Sequence, residues 1–154
     1  MVLGLDSAEL TGFAVVELEG GREVLKRYGT VHARSAAEVS AAVADLVVGP
    51  LDVVAVEEAF IHPKQPHAGL ALSRLLGRWL QELETRGLAT VTVPASMWQT
   101  AILPGVTYRS KSAERKRAAV RFAGERFGVV ATEDEADAIA MACWVVRNAT
   151  RRAA

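Results

Sequence analysis

The stretch MVLGLDSAELTGFAVVELEG, residues 1–20, decides the fold. It opens with a short apolar run, Met1–Leu5, which Asp6 follows directly. An apolar, β-branched run, Thr11–Leu18, comes next. The pair Gly20-Gly21 predicts a hairpin turn into a third strand that ends near Val31. The beginning of the chain therefore predicts a meander of three antiparallel strands.

Helical and strand patterns alternate in the rest of the chain. Ser35 and Glu38 form a capping box, which predicts a helix to about Val48. The nearly continuous apolar run Leu51–Glu57 is typical of a strand covered on both faces. Further patterns predict a helix over His67–Arg86, a strand over Leu88–Val93, and helices over Ala95–Leu103, Ser112–Phe127 and from Thr132 to about Asn148.

This order of elements predicts one α/β domain over residues 1–154. We expect a mixed five-stranded sheet, made of the antiparallel meander and two parallel strands, with helices on both faces. The layout resembles the RNase H-like fold.

Composition narrows the class of protein. Of the 154 residues, 51% are hydrophobic and 23% charged, which is ordinary for a globular chain. No apolar run reaches the length of a membrane span, and no basic region precedes the first strand, so neither a membrane segment nor a signal peptide is expected. The single cysteine, Cys143, excludes an internal disulfide and a Cys-based zinc site. We therefore expect a cytoplasmic protein.

The charge is balanced overall but unevenly distributed. The formal net charge is zero, yet residues 109–126 carry seven basic side chains against two acidic ones. A phosphate responds to charge within a Debye length of about 8–10 Å, so a local basic helix matters more than the net charge. The helix is either a solvated face or a surface that follows phosphates, and we favour the second because an acidic site must attract a polyanion.

Four acidic residues occupy positions that are unusual for surface charges. Asp6 and Glu57 each follow an apolar strand, and ligands in such sheets collect at the carboxyl ends of strands. Asp134 and Asp137 are three apart and share one helix face, and the small apolar residues after Asp137 indicate that this face packs on the sheet. Each acid also has a plainer interpretation: a turn for Asp6, a solvated charge at Glu57 or Glu58, and the helix dipole for Asp134.

Taken together, the four carboxylates predict metal-assisted phosphodiester hydrolysis. Hard oxygen ligands favour Mg²⁺ or Mn²⁺. Two such ions about 3.5–4 Å apart can activate a water and stabilise the leaving oxygen of an in-line displacement. We expect two ions for each active site.

Three motifs resemble those of the RuvC Holliday junction resolvases. They are Leu3–Asp6 with Thr11–Val15, then Val54–Phe60, and finally Asp134–Ala142, and they occur in the family's order across essentially the whole chain. The resemblance implies that Asp6, Glu57, Asp134 and Asp137 are the catalytic acids and metal ligands. It also implies that Phe60 lies against bases near the cut site, the alternative being a core phenylalanine.

The resemblance further implies that a lysine of the basic helix touches the scissile region. Lys116 is the best candidate and Lys111 the second. The side chains predicted to contact DNA are Phe60, Lys111, Arg115, Lys116, Arg117 and Arg121.

The chain departs from the family pattern in three places. The loop after Asp6, Ser7–Leu10, is one residue shorter than usual, and Trp98 stands where another lysine of the pattern is expected. The segment Pro104–Ser110 has the character of an insertion. These changes indicate a divergent member and bear on substrate preference.

The expected activity is symmetric, divalent-metal-dependent cleavage of a four-way DNA junction, giving 5′-phosphate and 3′-hydroxyl nicks. Two symmetric cuts require a two-fold axis, so a homodimer is expected, with the helix His67–Arg86 as its interface. A branch-migration partner is left open. The alternatives are an RNA-processing nuclease similar to YqgF and a catalytically inert nucleic-acid-binding module on the same fold.

Overall fold

The computed structural model of the protein describes residues 1–8, 10–59 and 66–153. Its strands form a mixed sheet in the order β3-β2-β1-β4-β5. β1, β2 and β3 pair antiparallel in chain order, whereas β4 runs parallel to both β1 and β5. The predicted sheet is confirmed, with the strands β1 (Val2–Asp6), β2 (Leu10–Glu19), β3 (Arg22–His32), β4 (Val53–Glu57) and β5 (Thr90–Val93).

The helices follow the predicted order, with small shifts at their ends. They are α1 (Ala36–Leu46), α2 (Pro66–Thr85), α3 (Ala95–Ile102), α4 (Ser112–Phe127) and α5 (Glu133–Ala153). α5 continues past the predicted end at Asn148, because neither glycine nor proline follows to stop it. None of the helices in the described ranges is both long and apolar enough to cross a bilayer.

The capping box predicted at Ser35 is present, and another lies at the start of α5. The Ser35 hydroxyl accepts a hydrogen bond from the Glu38 amide (3.2 Å), and the Glu38 carboxylate accepts one from the Ser35 amide (2.9 Å). At the start of α5, the Glu135 carboxylate accepts from the Thr132 amide (2.8 Å), and the Thr132 hydroxyl accepts in return (3.3 Å). The second box fixes the helix end that carries Asp134 and Asp137.

Alternation along the strands separates two hydrophobic cores. On β1, Val2 belongs to the core beneath α3, α4 and α5, whereas Leu3 and Leu5 belong to the core beneath α1 and α2. On β4, Ala55 lies on the α5 side, and Val54 and Val56 lie on the α1–α2 side. Because side chains alternate with a period of two, Asp6 and Glu57 belong to the α5 side.

Two glycines bring α5 unusually close to the sheet. A Cβ atom at Gly12 would lie 2.1 Å from the backbone oxygen of Asp134, and one at Gly4 would lie 2.6 Å from that of Ala138. Real Cβ atoms do not approach backbone this closely, so any side chain at these positions would push the helix away. The glycines therefore set the depth at which α5 presents its acidic residues.

A buried acid joins three elements on the same side. Glu23 on β3 accepts hydrogen bonds from Arg126 at the end of α4 and from Arg147 on α5. Burial acts to raise the pKa of Glu23, but the two arginines outweigh it and hold the pKa below its ordinary value. The pairing holds α4 and α5 against the edge of the sheet.

Candidate active site

The ends of β1 and β4 place two carboxylates side by side. Leu5 pairs with Val56 in the parallel register, so the next residues along the two strands are Asp6 and Glu57. The Ser7 hydroxyl donates a hydrogen bond to the Glu57 carbonyl (3.4 Å), which ties the two strand ends together. The sequence-based expectation that these acids meet at the carboxyl edge of the sheet agrees with this geometry.

The first turns of α5 bring the other two acids to the same place. Asp134, Asp137, Asp6 and Glu57 all line one cavity of about 770 Å³. Asp137 is only 8% exposed and stands between the fully buried Ala136 and Ala138, whereas the Asp134 side chain is 34% exposed. Acids from three separate parts of the sequence thus face one space.

The acids in this cavity are electrostatically strained. Burial, and then repulsion from Asp134, raises the pKa of Asp6 to about 7. Burial, and then repulsion from Asp6 and Asp137, raises the pKa of Glu57 to about 9. The pKa of Asp137 rises to about 8 through burial and repulsion from Asp6. Such a site favours a cation, because a cation would offset both causes.

Two carboxylate oxygens of the site are buried without a partner. Glu57 Oε2 and Asp137 Oδ1 accept no hydrogen bond. A buried polar atom without a partner is costly and is usually satisfied by a bound group. Within the described ranges, no three His, Cys, Asp or Glu side chains are gathered tightly enough to form a ready-made metal site. The donor set is nevertheless all-carboxylate, which suits a hard divalent cation.

Lys116 is the cation that reaches the carboxylates. Its ammonium lies 2.8 Å from a Glu133 oxygen and 4.0 Å from an Asp134 oxygen. The hydrogen bond to Glu133 is the largest cause of a raised pKa for Lys116, and Lys116 in turn acts to lower the pKa of Asp6, Glu57 and Asp137. Of the two lysines considered from the sequence, this is the one that lines the cavity.

Arg115 also lines the cavity, but it is tethered. Its guanidinium donates to the Gln99 side chain (3.3 Å) and to the Tyr108 carbonyl (3.0 Å). It therefore holds the segment before α4 against α3. Gln99 is 8% exposed and lines the same cavity.

Among the described residues, the others predicted to contact DNA do not line the acidic cavity. Arg117 and Arg121 line a second cavity of about 270 Å³, together with Pro104, Gly105 and Glu114. Lys111 is exposed at the start of α4. Phe60 lies outside the described residues. The basic helix thus divides its cations between the acidic cavity and a separate surface.

Several residues of the site had not been singled out as such from the sequence. Ser7 and Gln99 are buried and line the cavity, and Gly4 and Gly12 set the helix depth. The glycines carried a signal, since glycine inside a strand indicates close approach of another backbone. Ser7 and Gln99 carried none, because their role depends on contacts between distant segments.

Comparison with solved structures identifies the fold. RuvC of Thermus thermophilus in complex with a Holliday junction substrate is 19% identical, with a TM-score of 0.69 over 97% of this chain and 96% of that one. A second Thermus thermophilus RuvC structure is 20% identical, with a TM-score of 0.68 and the same coverage. Fowlpox virus resolvase in complex with substrate Holliday junction DNA is 11% identical, with a TM-score of 0.65 over 96% of this chain and 97% of that one.

No family model and no curated protein matches the sequence. The structural likeness extends over nearly the whole of each chain at low identity. The chain therefore has a RuvC-like fold of the RNase H-like class, as the sequence motifs predict.

Proposed function

We propose that this chain is a metal-dependent endonuclease that resolves four-way DNA junctions by symmetric cleavage, leaving 5′-phosphate and 3′-hydroxyl nicks. One observation carries the proposal: Asp6, Glu57, Asp134 and Asp137 line a single cavity in a RuvC-like fold. The solved structures of similar fold from Thermus thermophilus and Fowlpox virus hold junction DNA. Those structures make a branched DNA the first substrate to test.

The four carboxylates are proposed to hold two Mg²⁺ or Mn²⁺ ions. The buried, unpartnered oxygens of Glu57 and Asp137 fit this assignment, as do the raised pKa values of three of the acids. When bound, such ions supply an activated water and charge stabilisation for the leaving oxygen. The protein contributes a rigid frame, since the two strand ends and the capped helix fix where each carboxylate starts.

The basic residues are proposed to bind the DNA backbone. Lys116 stands beside the acids and suits contact with the scissile phosphate, with Lys111 nearby at the start of the same helix. Arg115 would present its tethered guanidinium at the wall of the cavity, and Arg117 and Arg121 would contact phosphates further away. Contacts of this kind fix orientation and give affinity that depends on salt.

Symmetric cutting requires two copies of the chain, so we propose a homodimer. In α2, the large residues Leu75, Trp79 and Leu83 are used in the core, while Leu70 is 46% exposed and Leu72 lines the acidic cavity. An interface through the start of α2 would therefore place the second copy beside the site. Analytical ultracentrifugation should give a dimer mass for the wild type and a monomer for Leu70→Asp.

The test is nicking of a synthetic four-way junction with Mg²⁺, compared with linear duplex and structured RNA. Junction-selective, paired nicks with ligatable ends support the proposal. Selective RNA cleavage would instead assign an RNA-processing nuclease similar to YqgF. Tight junction binding without cleavage under any divalent cation would assign an inert binding module. We also propose that the protein acts in the cytoplasm.

A further inference from the structure

Tyr108 is the most exposed aromatic residue in the described part of the chain. It is 75% exposed, whereas the next, Tyr28, is 36% exposed. Single exposed aromatic residues are common on protein surfaces, so the position of Tyr108 decides whether it has a function. It lies between α3 and α4, in the segment Pro104–Ser110 that has the character of an insertion. The resemblance to the RuvC resolvases therefore assigns it no role.

Hydrogen bonds hold the turn that carries Tyr108. The Thr107 amide donates to the Ser110 hydroxyl (3.1 Å), and the Ser110 amide donates to the Thr107 carbonyl (3.0 Å). The Arg115 guanidinium donates to the Tyr108 carbonyl (3.0 Å). Because Arg115 and Ser110 both line the acidic cavity, the turn places Tyr108 beside it.

The surface around the turn is basic. The Arg109 guanidinium lies 5.4 Å from the centre of the Tyr108 ring, and Arg109 is itself exposed. Ser110 lines both the acidic cavity and the second cavity, so the turn borders each of them, with Lys116 in the first and Arg117 in the second. Cations on both sides suit the phosphates of a strand, and an exposed aromatic ring between them suits one of its bases.

We propose that Tyr108 stacks on a base that is unpaired at the branch of the DNA, while the cations on both sides of the turn hold phosphates of the same strand. A base inside a continuous duplex is covered by its neighbours, so the contact favours branched DNA over linear duplex. The hydrogen-bonded turn reduces the entropy lost on binding, because the ring is already held in place. The choice of a branch point rests on the proposed function, whereas stacking on an unpaired base does not.

Stacking is tested with the fluorescent base 2-aminopurine, whose emission falls when it stacks. The base is placed at the branch of a four-way junction and, separately, in a single strand, and binding is measured in EDTA to prevent cleavage. Tyr108→Phe should bind both probes and quench their emission as the wild type does. Tyr108→Ala should bind about tenfold more weakly, with less quenching. Tyr28→Ala is the control, since Tyr28 lines neither cavity, and should match the wild type.

Salt dependence separates stacking from charge. Tyr108→Ala should leave the slope of log affinity against log salt unchanged, because a neutral ring releases no counterions, whereas Arg109→Ala should reduce it by about one. Equal affinity and quenching by Tyr108→Ala and the wild type on both probes would overturn the proposal, whatever the protein cleaves. Tyr108-dependent quenching of the single strand without junction nicking would refute the proposed function and leave stacking standing. A wild type that binds neither probe would overturn both.

Discussion

The two faces of the sheet differ in how closely their helices approach the strands. Beneath α1 and α2 the core consists mainly of leucine and valine side chains with Phe13 and Trp79. Beneath α5 the closest contacts are made at Gly4 and Gly12, and the alanines that alternate with larger residues between Ala136 and Ala142 are fully buried. Small residues allow the helix backbone to approach the strands, which is what brings its acids to the strand ends.

Buried polar atoms without a hydrogen-bond partner are also distributed unequally between the two faces of the sheet. Five buried side-chain polar atoms lack a partner in the described part of the chain, and four of them belong to Glu57, Asp137, Arg115 and Trp98. The fifth is the indole nitrogen of Trp79, on the other face. Among the described residues, the α5 face therefore has most of the unpaired buried polar atoms, an energetic cost that a functional site commonly imposes.

The largest contrast is expected in catalysis. Asp137→Asn or Asp6→Asn should abolish junction nicking, because each removes a charge from the proposed cation site, while junction binding persists. Glu82→Gln on α2 is the matched control, since Glu82 pairs with Ser40 and Arg86 away from the cavity. Gel assays of nicking and binding measure both. Normal nicking by Asp137→Asn would show that the site is assigned wrongly.

Replacing glycine by alanine should have opposite effects on the free energy of unfolding at the two faces of the sheet. Gly12→Ala places a Cβ atom against the Asp134 backbone, and we expect a loss of roughly 2–3 kcal/mol in the free energy of unfolding. Gly77→Ala on α2 meets no atom within 4 Å and should stabilise by about 0.5–1 kcal/mol. Urea unfolding gives both values. If Gly12→Ala were as stable as the wild type, the close approach of α5 would be incorrect.

Stability of the cation-free protein should fall as pH rises. The raised pKa values of Asp6 (about 7), Asp137 (about 8) and Glu57 (about 9) compare with carboxyl values near 4 in an unfolded chain. Between these limits the folded state binds more protons, so the free energy of unfolding decreases from about pH 4 to pH 9. One pKa unit corresponds to about 1.4 kcal/mol, so a shift of about three units at a single one of these groups corresponds to a loss of roughly 4 kcal/mol.

Two comparisons sharpen the pH experiment. Asp137→Asn and added Mg²⁺ should each make the free energy of unfolding depend less on pH. Trp79→Phe should instead lower the free energy of unfolding equally at every pH. Thermal unfolding from pH 5 to pH 9 measures each case. A wild-type curve that rises over this range would contradict the electrostatic account of the cavity.

The smallest effects are expected at the second cavity. Arg117→Ala and Arg121→Ala should each weaken junction binding modestly and reduce the slope of log affinity against log salt by about one. Arg22→Ala at the opposite end of the sheet should leave the slope unchanged. Fluorescence anisotropy at several salt concentrations provides the measurement. Unchanged slopes for both α4 variants would assign Arg117 and Arg121 to a solvated face.

Patterns in the sequence predicted the sheet, and they singled out the four acids that line the cavity. Asp6 and Glu57 end apolar strands, and Asp137 precedes an apolar helix face. The local pattern of apolar residues is therefore enough to single out these acids. The environments of Trp98 and Arg115 could not be read in this way, because each depends on segments that meet only in three dimensions. The division of the basic helix was also hidden, since Lys116 and Arg117 are adjacent in sequence and face different surfaces.

The most direct measurement is a crystal structure of the protein soaked in Mn²⁺, with the ions located by anomalous scattering. The account predicts peaks in the cavity, in contact with oxygens of Asp6, Glu57 and Asp137, and their loss in Asp137→Asn. Mn²⁺ found only elsewhere on the surface, with the cavity empty, would contradict it.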